Sequence, residues 1–222
     1  MSDAAVAGPA PRPAGRRPSP SSAIALASPP ARTLLVVVLM AAISQGHGTS
    51  VGPFLNEMAA AFHVSLGQMG QLAAAATIGG AVSSLGVLPF VSRLRPRAML
   101  ALVALGVAAG TVLTAVTPWF PALYVVRLVT GACNVLALAM GFVVLGRAYA
   151  APAQHAVRVG VVLAASATGP TVGPPALRWI ASWSSWQLAQ LAYAAAAALV
   201  ALVVLAAWRG LPAVTEGRAT AA

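Results

Sequence analysis

The sequence predicts an all-α integral membrane protein whose six transmembrane helices form two inverted three-helix repeats. Three observations predict it. Of the 222 residues, 59% are hydrophobic and only 7% charged, against the roughly 25% charged residues of soluble domains. Six apolar stretches, about residues 33–55, 68–91, 97–117, 121–146, 158–180 and 187–208, are long enough to cross a bilayer, which takes about 20 residues rising about 1.5 Å each. The 13 basic residues are all arginines, giving a formal charge of +10, and they collect at the ends of those stretches. That placement anchors a protein beside anionic lipid; a nucleic-acid partner would require the arginines on one polar face, and none is expected.

Residues 1–31 contain Pro9, Pro11, Pro13, Pro18, Pro20, Pro29 and Pro30 with Arg12, Arg16 and Arg17, a composition that neither continues a helix nor builds a core. They are expected to be a disordered cytoplasmic tail. A secretory leader is the competing reading, but no small-x-small cleavage site follows the first apolar run. Residues 32–210 are expected to be the transmembrane domain and 211–222 a short cytoplasmic tail. In lipid each segment must satisfy its own backbone, so the six stretches are helices. Strands of a barrel would alternate, and runs such as LLVVVLMAA do not.

With the amino terminus inside, the cytoplasmic ends hold Arg12, Arg16, Arg17, Arg32, Arg93, Arg95, Arg97, Arg147, Arg158, Arg209 and Arg218, and the outer side holds only Arg178. Basic loops stay in the cytoplasm, so both termini are expected there, with the chain multi-pass in the cell membrane. Residues 33–117 and 121–208 make blocks of 85 and 88 residues of opposite sense, the length match expected of inverted repeats. Trp119, Trp179, Trp183 and Trp186 read as an outer aromatic belt, and His63 and His155 as interface residues.

Arg127 is the sharpest local signal, lying six residues inside the stretch that starts at 121. A charge at that depth costs from about 3 to more than about 10 kcal/mol, so it faces a cavity or a partner, unless it snorkels to the headgroups. At helical spacing Arg127, Thr130, Gly131 and Asn134 share one side. Helix one carries two polar sides, Gln45, Thr49, Gly52 and Asn56 on one and Ser44, His47 and Val51 on the other; the spacing leaves open which lines a cavity. His47 reads either as a packed hydrogen-bonding residue or as a proton-responsive group, level with Arg127. Glu57 is the only carboxylate outside the tails and the one acidic partner available for an ion pair with Arg127. Gly48-Thr49-Ser50-Val51-Gly52 fits the G-x-S-x-G of hydrolases, but that device needs a strand-to-helix turn. One cysteine, Cys133, excludes an intrachain disulfide, and the scattered histidines and carboxylates form no metal cluster; no cofactor is expected.

The segment Arg127-Leu128-Val129-Thr130-Gly131 resembles motif B of the major facilitator superfamily, with Thr130 where Gln is common. The spacing Gly160, Gly169, Pro170 and Gly173 looks like the same family's motif C, associated with antiporters and drug exporters, with Pro174 where a second Gly is usual. A proline among glycines makes a bend that either shapes or gates a bundle. Ser92-Arg93-Leu94-Arg95-Pro96-Arg97 occupies the place of motif A but keeps only its basic character. The resemblance covers about residues 33–208 and implies a secondary transporter that moves a small molecule by alternating access. The family's transporters have twelve helices, so the chain is expected to act as a half, completed by a second copy or a separately encoded partner. Arg127, Gln45, His47, Thr130 and Asn134 are the expected substrate-binding residues; Gly131, Gly160, Gly169, Pro170 and Gly173 are the expected structural or gating ones. The alternative is a non-transporting membrane scaffold or an inactive fragment.

Overall fold

Long apolar runs free of alternation become helices throughout the computed structural model, which describes residues 29–87, 96–149 and 152–208. In chain order these are α1 (Pro29–Thr49), a 3-10 turn (Gly52–Phe54), α2 (Leu55–Phe62), α3 (Leu66–Val87), α4 (Pro96–Val116), α5 (Phe120–Ala148), α6 (Pro152–Ser182) and α7 (Trp186–Trp208). No strand occurs among the described residues. Residues 1–28 and 209–222, and with them most of both expected tails, lie outside the described residues, as does Ser92–Arg95 of the basic loop.

Among the described residues, five segments are long and apolar enough to cross a membrane: Ala31–Phe62, Ala98–Val116, Phe120–Ala148, Ala153–Ser182 and Trp186–Ala207. The expected span 68–91 is α3, a 22-residue helix that is not among those five. Gln68, Gln71, Ser83, Ser84 and five glycines dilute its apolar run, and residues 88–91 lie outside the described part. The first span also differs from expectation. It starts at Pro29, inside the expected tail, and its helix stops at Thr49 instead of running to 55. Proline is tolerated in a first turn, which explains the early start. Gly52-Pro53 explains the stop, because Pro53 lacks the N–H that would continue the ladder and instead sits at the start of the 3-10 turn.

Local signals set the other ends. His63 takes a left-handed conformation (φ 54°) that closes α2. Ser65 and Gln68 then cap α3 reciprocally: the Ser65 N–H donates to Gln68 Oε1 at 3.0 Å and the Gln68 N–H to Ser65 Oγ at 3.2 Å. α6 begins at Pro152, earlier than the expected 158, and runs unbroken through Pro170, Pro174 and Pro175. Arg158 therefore lies within a helix, its guanidinium 5.5 Å from the centre of the Tyr149 ring.

Five pairings build the bundle: α1 on α6, α3 on α5, α4 on α7, and α5 against both α1 and α4. The main core joins Val36 and Met40 of α1, Leu100 and Val103 of α4, Ala137 and Met140 of α5, and Val200 and Val204 of α7. Two crossings bring backbones together. A Cβ on Gly169 would run into the Ala42 carbonyl, and one on Gly131 into the Ala76 carbonyl, so only glycine permits α6 on α1 and α5 on α3 at that distance. By contrast α6, among its residues of described burial, buries only Val162 and Leu177.

The tryptophan-bearing end of the bundle exposes Trp119, Trp179 and Trp183 at 66%, 68% and 80%. There Glu57 pairs with Arg178 of α6, which also donates to the Pro53 carbonyl at 3.3 Å. The expected ion pair of Glu57 with Arg127 is thus corrected: α2 carries the carboxylate along the end of the bundle, away from α5. An exposed pair contributes little. Glu57→Gln should shift stability by less than about 1 kcal/mol, and melting at low and high salt should show the difference vanish on screening.

Candidate functional site: a buried guanidinium between three helices

α5 delivers Arg127 to the interior, where only 3% of the residue is exposed. Its Nη1 donates to the His47 main-chain carbonyl at 3.5 Å, whereas Nε and Nη2 are buried and have no partner. The snorkelling alternative does not describe this side chain, because the guanidinium lies under α1 instead of reaching the surface.

α1 ends at this point, and its last carbonyls become acceptors. The His47 carbonyl also receives the Ser50 N–H at 3.2 Å and the Ser50 hydroxyl at 2.9 Å, and Gln190 Nε2 of α7 donates to the Ser50 carbonyl at 2.9 Å. The four final carbonyls of a helix lack partners within it; here an arginine and a glutamine from neighbouring helices supply two. The Ser50 hydroxyl proton goes to that carbonyl and not to a base, so the hydrolase pattern makes no nucleophile here.

The two sides of helix one are now distinguishable. Ser44 and His47 are fully buried and Val51 nearly so, while Thr49 and Gly52 are exposed and Gln45 is half-buried. Asn56 belongs to α2 and is exposed, because the turn at Gly52 breaks the shared face. The His47 ring meets Thr111 of α4, with Nδ1 2.9 Å from Oγ1. Thr111 spends its single hydroxyl proton on the Val107 carbonyl at 2.7 Å, so Nδ1–H is the donor to Thr111. In the neutral ring Nε2 is then an acceptor, and it has no partner. Thr111→Val should cost about 1–3 kcal/mol by leaving Nδ1–H buried and unpaired. Adding His47→Phe should recover most of that loss, both read by thermal unfolding in detergent.

The polar stripe on α5 divides among neighbours. Thr130 is buried, its Oγ1 donating to the Arg127 carbonyl at 3.3 Å and its methyl lying against Gly110 of α4. Gly131 abuts α3. Asn134 stands beside Gly48 of α1, its Oδ1 without a partner. Gln45 takes part in none of these hydrogen bonds. Of the expected gating set, Gly131, Gly169 and Gly173 lie at helix crossings, Pro170 lies within the unbroken α6, and a Cβ on Gly160 would meet nothing within 4 Å.

Thr111, Gln190 and Tyr193 were not singled out by the sequence. Tyr193 donates to the Ile43 carbonyl at 2.6 Å, with its ring 6.5 Å from that of His47. Gln190 and Tyr193 carry a usable signal, being polar groups inside a helix that between Leu188 and Ala207 is otherwise built from Ala, Leu and Val.

A cleft of about 220 Å³ opens onto Arg127, lined by Gly48, Thr49, Gly52 and Leu55 on one side and Met69, Gly70 and Ala73 of α3 on the other. Apolar spans around a buried charge beside a cleft are features expected of a multi-pass membrane protein. The chain matches the Major Facilitator Superfamily over residues 34–222 and belongs to that family of membrane transporters. No curated protein matches it.

Proposed function

We propose that this chain is one six-helix half of a secondary transporter, exporting a small molecule in exchange for an ion by alternating access. The observation that carries the reading is Arg127: a guanidinium held inside the bundle, with two nitrogens unpartnered, at the base of a cleft. A purely structural arginine would be expected to spend those donors on the protein.

Helix pairing supports the inverted repeat. Exchanging the first three spans for the last three turns α1 on α6 into α5 on α3 and leaves α4 on α7 unchanged. The glycine crossings exchange likewise, Gly46 with Gly169 for Gly131 with Gly80. The exposed sides of α3 and α6 support a second six-helix unit beside this one, as a second copy or a separate partner; α6 leaves Gly160, Val161, Ala164, Thr168, Thr171 and Val172 uncovered. The likeness of α6 to motif C favours the antiport direction, and the arginine distribution favours cytoplasmic termini in the cell membrane. Within this half, His47 and Thr130 bond to Arg127 main-chain or side-chain groups, Asn134 stands beside Gly48 of the cleft wall, and Gln45 is proposed as a further substrate contact. Among the described residues the only carboxylate, Glu57, is paired at the tryptophan-bearing end, so coupling to protons falls to His47 or to the second unit.

Reconstitution in liposomes, alone and with a candidate second half, tests the proposal. Solute uptake driven by an imposed pH gradient is the expected result. A chain that stays monomeric and carries no solute with any partner would instead be a membrane scaffold.

A further inference from the structure

We propose that the cleft between α1 and α3 binds a small monoanionic carboxylate, gripped side-on by the Nε/Nη2 edge of Arg127. This names the substrate class and rests on the transport reading above. Two of the three guanidinium nitrogens, Nε and Nη2, have no protein partner. Nη2 is the amino group on the same edge of the guanidinium as the Nε–H, so these two N–H bonds run parallel and match the two oxygens of a carboxylate. The third nitrogen, Nη1, is held by the His47 carbonyl. The protein thus ties one corner of the group and leaves the two nitrogens of its other edge buried without a protein partner.

No side chain supplies the missing anion. Glu57, the only carboxylate among the described residues, is engaged by Arg178. Arg127 also lines the cleft, and the opposite walls carry Gly48, Gly52 and Gly70, residues without side chains to fill it. A Cβ on Gly52 or Gly70 would meet nothing within 4 Å, so the space in front of them is open. Charge balance fixes the valence. Arg127 is the only cation lining the cleft, and one guanidinium in a poorly solvated site neutralises one negative charge. Of the remaining walls, Thr49 is polar, while Val51, Leu55, Met69, Leu72 and Ala73 suit a compact apolar body behind the anionic head. A phosphodiester of an anionic lipid shares the bidentate chemistry, but the walls that fit one small body do not fit two acyl chains.

The test is binding by the purified full chain in nanodiscs, titrated with benzoate, acetate, sodium sulfate and tetraethylammonium by calorimetry and thermal shift. Saturable benzoate binding is expected, at least tenfold tighter than sulfate, with no response to tetraethylammonium. Arg127→Lys should weaken benzoate tenfold or more, because an ammonium offers no parallel fork. Gly70→Leu fills the cleft without touching Arg127 and should abolish binding while preserving the melting temperature, since leucine is the better helix former. Phosphatidylglycerol nanodiscs that block benzoate, when phosphatidylcholine ones do not, would reassign the site to lipid and overturn the proposal. Equal benzoate affinity in both variants would overturn it too, as would a high-resolution map with only an ordered water at the fork. Transport of neutral or cationic solutes without anion binding would overturn this assignment and leave the transport reading standing. Benzoate binding without flux in any assembly would support the site and sink transport.

Discussion

Replacing Arg127 by alanine should lower solute flux by about 100-fold or more, a loss equivalent to about 3 kcal/mol at about 1.4 kcal/mol per tenfold. The same change should leave the fold intact. Two of the three guanidinium nitrogens have no partner, so the folded chain bears the cost of a desolvated charge without full compensation. Replacing such a group by an apolar one of similar volume is often neutral or stabilising. Arg127→Met is therefore expected to melt at the same temperature or higher while transporting poorly. That opposition distinguishes a functional charge from a structural one, which would lose activity and stability together. Unchanged flux in Arg127→Ala, measured in liposomes with the assembled transporter, would remove the residue from the mechanism.

Gly131→Val should destabilise the bundle by about 3 kcal/mol or more, and Gly169→Val by a similar amount. In both cases the first added carbon meets a main-chain carbonyl, that of Ala76 or Ala42, and backbone cannot swing aside as a long side chain can. Overpacking of a well-packed core usually costs about 1–3 kcal/mol, and a backbone obstacle puts these sites at or above that range. Gly160→Ala is the matched control. Nothing lies within 4 Å of its added carbon, and alanine improves on glycine in a helix by up to about 1 kcal/mol. Detergent-solubilised melting temperatures should fall steeply for the first two and hold or rise for the third. Equal behaviour of all three would show that the close crossings do not limit stability.

Hydropathy made the helices legible because a bilayer imposes a length and an apolar composition that a linear sequence displays directly. It also made Arg127 legible, since a charge in such a run stands out whatever the fold. What the sequence could not display was contact between distant residues. Glu57 and Arg178 are 121 positions apart, and only the turn at Gly52-Pro53, which redirects α2, puts them together. Thr111 is not legible as a partner because a threonine in an apolar helix commonly bonds its own backbone, as it does here with Val107; that it also receives His47 depends on α4 and α1 being neighbours. Face assignment failed where spacing was carried across a break, as with Asn56. It was coarse on α5, where Thr130, Gly131 and Asn134 share a side by angle but meet α4, α3 and α1 respectively.

The glycine contacts also govern how the molecule meets membranes of different thickness. Where two main chains lie in near contact, neither rod can slide along the other without carbonyls colliding. A thicker or thinner hydrocarbon layer must then be met by leaning α1 together with α6, and α3 together with α5, as coupled pairs. Bilayer depth becomes a lever on the splay between those pairs, and acyl-chain length a physical control over how wide the groove between α1 and α3 stands.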